Sequence, residues 1–248
     1  MFSLEIECDP DERDLLIAEL WEQGSAGMVE LDTRRVRAFF DDGANRDALL
    51  ELFPGASFQA EPPRDWVQSA RDLLQPMDVG ARFFLVPEWR DDPAPPGRFR
   101  ITVNPGMAFG TGVHETTQLC LEALEEFLKP GMRVLDVGAG SGILARAATM
   151  LGAARVCGCD TDPVAAEVGG AAFVGSVDAV ASDSCDLVVA NISPEAIVAL
   201  APDLVRVLRP AGVLLASGFE LHEVERVRPA LPPAREVRQT GNWALLVI

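Results

Sequence analysis

The middle of the chain carries the glycine-rich stretch VLDVGAGSGIL, which runs from Val134 to Leu144. Its first four residues are mostly apolar, as in a fully buried parallel strand. Glycines follow at positions 138, 140 and 142, and an apolar helical pattern then continues to Leu151. Glycine permits a tight turn and a close approach of the backbone to a ligand, and a helix N-terminus offers unpaired N–H groups. The stretch therefore predicts a strand, a turn and a helix that together cradle a ligand.

A second short run, Val156 to Asp160, ends in an acid about 20 residues beyond the turn. A carboxylate in that place suits the two hydroxyls of a ribose. A dinucleotide site would have its third glycine three residues after the second. Here the glycines alternate and Asp136 stands two residues before the first of them, a D-x-G-x-G-x-G form that resembles S-adenosylmethionine-dependent methyltransferases. A glycine-rich turn that binds nothing is the alternative on these residues alone.

Length and composition narrow the class of protein. The 248 residues allow one large domain or two modest ones, and 48% hydrophobic residues suffice for a sizeable core. No apolar run approaches the roughly 18 residues of a membrane span, and the N-terminal residues show no secretory signal. We therefore expect a cytoplasmic protein that does not contact membranes. We also expect a monomer.

The net charge of −17 bears on partners. It repels phosphate backbones, so direct nucleic-acid binding is disfavoured and a basic partner is favoured. An acidic surface that only maintains solubility is the alternative. The five cysteines are an odd, scattered set, which favours reduced thiols. Cys157 and Cys159 lack the C-x-x-C spacing and the chain has only two histidines, so we expect no metal site.

The first 60 residues predict a small α+β module. Strands are expected at 2–8, 27–31, 36–40 and 56–60, with helices from Asp9 to near Gly24 and from Asn45 to Leu52. This βαββαβ order is the ferredoxin-like arrangement. The module has no acid–base cluster, so we interpret residues 1–58 as a recognition or positioning domain. Residues 59–75, rich in proline and able to form a short helix, are expected to link it to a second domain at 76–248.

The second domain alternates strands and helices, which predicts a parallel sheet covered on both faces. Strands are expected near 82–86, 99–103, 133–137, 155–160, 171–175, 185–190 and 212–217, followed by an antiparallel hairpin from Arg235 to Ile248. Ligands of such sheets lie at the carboxyl ends of the strands. Asp136, Asp160, Ser176 and Asn191 are all at or near such ends. Four polar side chains at one edge of the sheet predict a binding site there.

The loop from Asn104 to Thr117 is rich in glycine and hydroxyl residues. Ordering such a loop costs backbone entropy, and that cost is most easily explained if the loop closely approaches a ligand. His114 opens the helix that is expected to run to Leu128. A structural role for this histidine as a hydrogen-bonding partner at the helix start and a catalytic role both stay open.

Two stretches carry a family resemblance: PGMAFGTGxHxTT, from Pro105 to Thr117, and VLDVGxGSG, from Val134 to Gly142. Together they resemble the bacterial PrmA family, methyltransferases of large-subunit ribosomal protein eleven at the stalk base. The resemblance extends over the N-terminal module and the Asp65-Trp66 linker helix. It implies an α/β fold, with a Rossmann-like class I methyltransferase domain preceded by a ferredoxin-like domain. It also implies S-adenosylmethionine as cofactor, that basic ribosomal protein as partner, and methylation of its lysine and N-terminal amines.

The resemblance also assigns roles by position. It would place Asn191 and Ile192 near the sulfonium methyl. We add the hypothesis that Asn191 orients the amine, with His114 as a second catalytic candidate. The cofactor-binding residues would be Phe109, Thr116, Asp136, Gly138, Gly140, Asp160, Thr161, Ser176, Asn191 and Ile192.

The chain departs from the family pattern after Asp160. Only 15 residues separate Asp160 from Ser176, so the helix between them is expected to shrink to Pro163–Val168 beside the adenine pocket. A cofactor-binding homologue with weak or no turnover, acting in ribosome assembly, is therefore one alternative. A methyltransferase for another protein is the other. The Asn191-Ile192 pair differs from the Asn-Pro-Pro-Tyr of glutamine and DNA-base methyltransferases, which disfavours those substrates.

Overall fold

The computed structural model describes residues 2–9, 16–17, 19–20, 23–32, 34–60, 75–104, 114–168 and 173–248. The chain divides into two compact units, Met1–Leu73 and Leu74–Ile248. The expected boundaries at 1–58, 59–75 and 76–248 stay predictions. Most of the helix expected after Asp9, nearly all of the linker helix, and the loop that contains Phe109 lie outside the described residues.

The first unit contains a four-stranded antiparallel sheet. Its strands are β1 (Phe2–Glu7), β2 (Gly27–Asp32), β3 (Arg35–Phe40) and β4 (Ser57–Ala60), in the order β2-β3-β1-β4. Helix α1 (Arg46–Leu52) begins after Asn45, whose side chain caps it by accepting a hydrogen bond from the N–H of Ala48. One face of the sheet packs with α1 into a core, so the predicted strands are confirmed.

The second unit begins with a three-stranded sheet of β5 (Met77–Val79), β6 (Phe83–Pro87) and β7 (Phe99–Val103). Sequence patterning missed β5, because three residues are too few to show a period of two; it forms by antiparallel pairing with β6. Glu125 fixes the turn between them, since its carboxylate accepts hydrogen bonds from the N–H groups of Ala81 and Arg82 at 2.9 and 2.7 Å.

The remaining elements alternate as expected. They are α2 (Glu115–Phe127), β8 (Arg133–Val137), α3 (Ile143–Met150), β9 (Arg155–Asp160), α4 (Pro163–Val168), β10 (Phe173–Val174), β11 (Cys185–Asn191), α5 (Pro194–Arg206), β12 (Leu208–Glu220), α6 (Val224–Val227), β13 (Glu236–Thr240) and β14 (Trp243–Val247). Short 3-10 helices lie at Val177–Ala179, Leu221–Glu223 and Arg228–Ala230. The shortened helix at Pro163–Val168 is confirmed, and β12 is longer than expected. The strand expected at 171–175 ends at Val174, and positions 171–172 lie outside the described residues.

These strands form one seven-stranded sheet in the order β10-β9-β8-β11-β12-β14-β13. Strands β8 to β12 run parallel, and β14 is antiparallel to both β12 and β13, which confirms the parallel sheet and the terminal hairpin. The chain starts at β8, proceeds outward to β10, and then crosses to β11 on the other side of β8. That reversal is a topological switch point, where open α/β sheets bind their ligands.

Helices cover both faces of this sheet. On one face α2, α3 and the three-stranded sheet share a core with side chains such as Val134 and Val189. On the other, α5 and α6 pack on side chains such as Leu135 and Val188. In the part of the chain that the structure describes, no helix is long and apolar enough to cross a membrane. All five cysteines are free thiols, as predicted.

Candidate active site

A cavity of about 620 Å³ opens at the carboxyl ends of β8, β9 and β11. This volume lies in the range of small-molecule and cofactor sites. Most of the sequence-derived candidates line it. These are His114, Thr116, Gly138, Gly140, Asp160, Thr161, Ser176, Asn191 and Ile192. Asp136 is absent from the cavity wall, and Phe109 lies outside the described residues.

The glycine turn forms one wall. Gly138, Gly140 and Gly142 have φ of 70°, 52° and 70°, which residues with a side chain rarely adopt. The N–H groups of Gly138 and Ala139 donate to the carbonyl of Cys159 at 2.9 and 3.1 Å, so the turn is fixed against β9. A Cβ on Gly138 would collide with the side chain of Ile192. The turn therefore needs glycine for its backbone conformation and for the space above it.

Asp160 is held at the end of β9 by two backbone N–H groups. Its Oδ2 accepts from Gly140 at 2.9 Å, and its Oδ1 accepts from Asp162 at 3.0 Å. A carboxylate has about four acceptor sites, so two remain for hydroxyl donors of a ligand in the cavity. The glycine turn and the acid that follows it by about 20 residues are therefore joined by a direct hydrogen bond.

Asp136 lies beneath the turn and not in the cavity. It is 1% exposed, and its Oδ2 accepts a hydrogen bond from the N–H of Ala145 on α3 at 3.0 Å. Its Oδ1 is buried with no hydrogen-bond partner among the described residues. Burial raises the pKa of this carboxyl to about 7, more than the Ala145 hydrogen bond lowers it. The residue thus supports the turn from below.

His114 caps α2, as its structural interpretation predicts. Its Nδ1 lies 2.8 Å from the Thr116 hydroxyl and accepts from the Thr116 N–H at 3.4 Å. Its ring meets the ring of Trp243 edge-on, with centroids 4.5 Å apart. Trp243 also lines the cavity, although sequence reasoning missed it because β14 is distant from the glycine turn in the chain. Its position directly after the predicted hairpin turn placed Trp243 at the start of a strand, which was the only indication that the sequence offered of its role.

Asn191 stands at the end of β11. Its Nδ2 donates to the hydroxyl of Thr117 at 3.4 Å, while its Oδ1 is buried without a partner in the described part of the chain. The next residue, Ile192, donates its N–H to the carbonyl of Ser217 at 3.1 Å. Gly218 has φ of 100°, and a Cβ there would collide with the Ile192 backbone. The Asn191-Ile192 turn is therefore closely packed on the end of β12.

The remaining cavity wall comes from α4 and the residues that follow β10. Ala165 of α4 lines the cavity together with Gly175 and Ser176. Val164 and Val174 beside them are 59% and 56% exposed. The described part of the segment expected beside the adenine group consists of α4, β10 and the residues that follow β10.

A family model described as "Ribosomal protein L11 methyltransferase (PrmA)" matches residues 35–247. The chain belongs to this family. It is 40% identical to the ribosomal protein L11 methyltransferase of Symbiobacterium thermophilum over 236 residues, covering 90% of this chain and 77% of that protein. The counterpart in Pelobacter propionicus is 35% identical over 298 residues, covering 98% and 96%.

A solved structure agrees with this L11 methyltransferase assignment. The crystal structure of the ribosomal protein L11 methylase from Lactobacillus delbrueckii subsp. bulgaricus superposes with a TM-score of 0.63 at 29% identity. The match covers 70% of this chain and 97% of that one. The larger unit is thus a Rossmann-like class I methyltransferase domain, and its cofactor is S-adenosylmethionine.

The residues present fit that cofactor. Gly138 and Gly140 line the cavity without a side chain, Asp160 offers free acceptor sites to ribose hydroxyls, and α3 begins beside the turn. The buried Oδ1 of Asn191 is an acceptor that awaits a donor. Within the described ranges, no group of three His, Cys, Asp or Glu residues could hold a metal ion.

Proposed function

We propose that the protein transfers methyl groups from S-adenosylmethionine to lysine side chains and the N-terminal amine of ribosomal protein L11. The observation that carries this proposal is the convergence of the glycine turn, Asp160 and Asn191 on one cavity, in a chain of the L11 methyltransferase family. The relatives from Symbiobacterium and Pelobacter are named for the same activity.

Different residues of the chain would contact different parts of the cofactor. Gly138 and Gly140 would approach its methionine end, and Asp160 would accept hydrogen bonds from the ribose hydroxyls. Thr161 lies beside that acid, and Ser176 would lie by the adenine. Thr116, Ile192 and the loop residue Phe109 are proposed as further neighbours, while Asp136 would support the turn without direct contact.

When bound, the cofactor supplies a methyl group on a sulfonium, ready for in-line displacement. The incoming amine must be neutral, because its lone pair forms the new N–C bond while the C–S electron pair stays on sulfur. Removal from water lowers the pKa of the ammonium and favours the neutral amine. The methylated nitrogen then releases a proton to solvent.

Asn191 is proposed to orient the amine, because it lines the cavity at the end of β11 and its side-chain oxygen has no hydrogen-bond partner among the described residues. No dedicated general base is required. The Nδ1 of His114 is already engaged by Thr116, so this histidine serves the helix terminus and the Trp243 contact. Asn191 is therefore the residue proposed to act on the amine, and His114 is proposed to act only through the structure of the site.

The N-terminal residues 1–58 are proposed as a ferredoxin-like domain that recognises the substrate, followed by a linker at 59–75 and the methyltransferase domain at 76–248. The antiparallel order β2-β3-β1-β4, with α1 between β3 and β4, supports that fold. The net charge of −17 suits a basic ribosomal protein. That substrate also agrees with the cytoplasmic location expected from the sequence, while the monomeric state stays a prediction.

Mass spectrometry of purified L11 after incubation with the protein and S-adenosylmethionine tests the proposal. We expect mass gains in methyl increments, abolished when Asp160→Ala removes the ribose acceptor. Calorimetry in parallel measures cofactor binding. Normal binding with no methyl gain on L11 would overturn the proposal in favour of a cofactor-binding assembly protein, and methylation of only another protein would favour that substrate.

A further inference from the structure

Arg146 is a cation behind the glycine turn that the proposed function does not use. It is the fourth residue of α3, and it is half-buried. Its Nη1 donates to the carbonyl of Thr102 on β7 at 2.9 Å, and its Nη2 makes a longer contact of 3.5 Å with the carbonyl of Ser141. Ser141 directly follows Gly140, which lines the cavity. The guanidinium therefore contacts the turn without itself lining the cavity.

The positive charge of Arg146 is not balanced by a neighbouring side chain. Among the described residues no carboxylate forms an ion pair with it, and its Nε is buried without a hydrogen-bond partner. Burial lowers the pKa of the guanidinium, because a positive charge is less stable away from water. A buried charge destabilises a fold unless it is paired. An unpaired cation here, in a chain of net charge −17, indicates that an anion joins it from outside the chain.

The helix end beside this cation is also positive. The N-cap residue Gly142 has no side-chain cap, and the first turn of α3 contains no acidic residue. A helix N-terminus favours anions and disfavours cations, so Arg146 adds to a positive charge that is already present. Asp136 contacts this helix end through Ala145, but burial raises the pKa of its carboxyl to about 7, so it is only partly charged at neutral pH.

The cavity wall has charges of the opposite sign. Asp160 and Asp162 line it, whereas no lysine or arginine among the described residues does so. The sequence of the loop at 105–113 contains no basic residue either. S-adenosylmethionine carries a sulfonium, an ammonium and a carboxylate. The two acids suit its cationic groups, and the region of Arg146 and the start of α3 suits its carboxylate.

We propose that Arg146 acts through the glycine turn on the carboxylate at the methionine end of the cofactor, which its positive charge attracts. The inference rests on the proposed placement of that end beside Gly138 and Gly140. Arg146 touches neither the cofactor nor the reacting atoms, so it is a positioning residue. Its neutralisation should weaken the binding of ligands that carry the carboxylate and spare those that lack it.

Calorimetry with two thioether ligands tests this inference. S-adenosylhomocysteine has the carboxylate, and its decarboxylated analogue keeps the adenosine, the sulfur and the amine. Arg146→Gln removes the charge and keeps a donor for the Thr102 carbonyl. We expect this variant to raise the Kd for S-adenosylhomocysteine roughly 3- to 10-fold, as one charge does across several ångströms of protein. The analogue should bind it as tightly as wild type or more tightly, because its ammonium is no longer repelled.

An equal loss of affinity for both ligands would overturn the inference, since a damaged turn would then explain it. An unchanged Kd for S-adenosylhomocysteine would overturn it as well. Arg146→Lys keeps the charge without the planar guanidinium and should restore most of the affinity for S-adenosylhomocysteine. If lysine and glutamine weaken that ligand equally, the hydrogen bonds of Arg146 matter and its charge does not, which also contradicts the inference.

The matched control is Arg155→Gln, which makes the same change at an exposed residue at the start of β9, the end of that strand away from the cavity. Both Kd values should stay within about 2-fold of wild type. A selective loss as large as that of Arg146→Gln would show that net charge alone is responsible and would overturn the inference.

The unaltered protein supplies a measurement that no folding defect can affect. Wild type should bind S-adenosylhomocysteine more tightly than the decarboxylated analogue, and equal Kd values would overturn the inference. These binding data are independent of methyl transfer. The expected charge preference in a protein that adds no methyl group to L11 would support the role of Arg146 and refute the proposed function. Methylation of L11 without that preference would do the reverse.

Discussion

Replacement of Asp136 by asparagine should remove the part of the pH dependence of stability that comes from this buried carboxyl. The carboxyl is buried under the glycine turn with one hydrogen bond from Ala145 and no partner for Oδ1 in the described part of the chain. Asparagine has the same shape and no charge, and its side-chain oxygen can still accept from Ala145. The substitution therefore isolates the cost of ionising this one buried group.

The direction follows from the pKa of the Asp136 carboxyl, which burial raises to about 7 in the folded protein from its ordinary value of 3.8. The folded state therefore holds a proton that the unfolded chain releases near pH 4. The resulting stabilisation is complete below about pH 4 and is lost as the pH rises through about 7. About three pH units at about 1.4 kcal/mol each give a total of about 4 kcal/mol.

Urea unfolding of the cofactor-free wild type and Asp136→Asn between pH 5 and pH 8 measures this difference. The free energy of unfolding of the variant, relative to wild type, should rise by about 1.4 kcal/mol per pH unit up to about pH 7 and then level off. Other titrating groups are common to both proteins and cancel. A constant difference across this range would show that Asp136 is already ionised at pH 5 and would refute the reasoning.

Three further substitutions probe the walls of the cavity. Asp160→Asn should raise the Kd for S-adenosylmethionine roughly 10- to 100-fold by calorimetry, because hydrogen bonds to a charged acceptor are lost; an unchanged Kd would exclude the ribose role. Gly218→Ala places a Cβ against the Ile192 backbone and should cost about 1–3 kcal/mol of unfolding free energy, so an unchanged melting temperature would contradict the packing described. His114→Ala should retain most of the L11 methylation rate, and loss of turnover with normal cofactor affinity would instead identify a general base.

Local features of the site were accessible from the sequence. The conformations of Gly138 and Gly140 follow from the residue type, since glycine tolerates the positive φ that a strand-to-helix turn demands. The shortened helix after Asp160 followed from counting residues. The capping role of His114 followed from its place before a helical pattern. In each case the conformation or role is determined by residues within a few positions along the chain.

Features that depend on distant pairing were not accessible. Trp243 reaches the cavity because β14 inserts beside β12, with Trp243 opposite Glu220, and no local pattern encodes that register. Strand β5 exists because Met77 pairs with Leu85. The burial of Asp136 likewise depends on what α2 and α3 cover, so its sequence position indicated the cofactor while the structure places it in a supporting layer.

The insertion of β14 has a consequence for how the protein is made. This strand follows every other strand of its sheet in the chain, yet it lies between β12 and β13 and pairs with both. Until it is synthesised, β12 keeps an open edge able to pair with other chains. The same strand brings Trp243 to the cavity. Closure of the sheet and placement of Trp243 in the cavity wall are therefore one event, and a nascent chain has no finished binding site before β14 emerges.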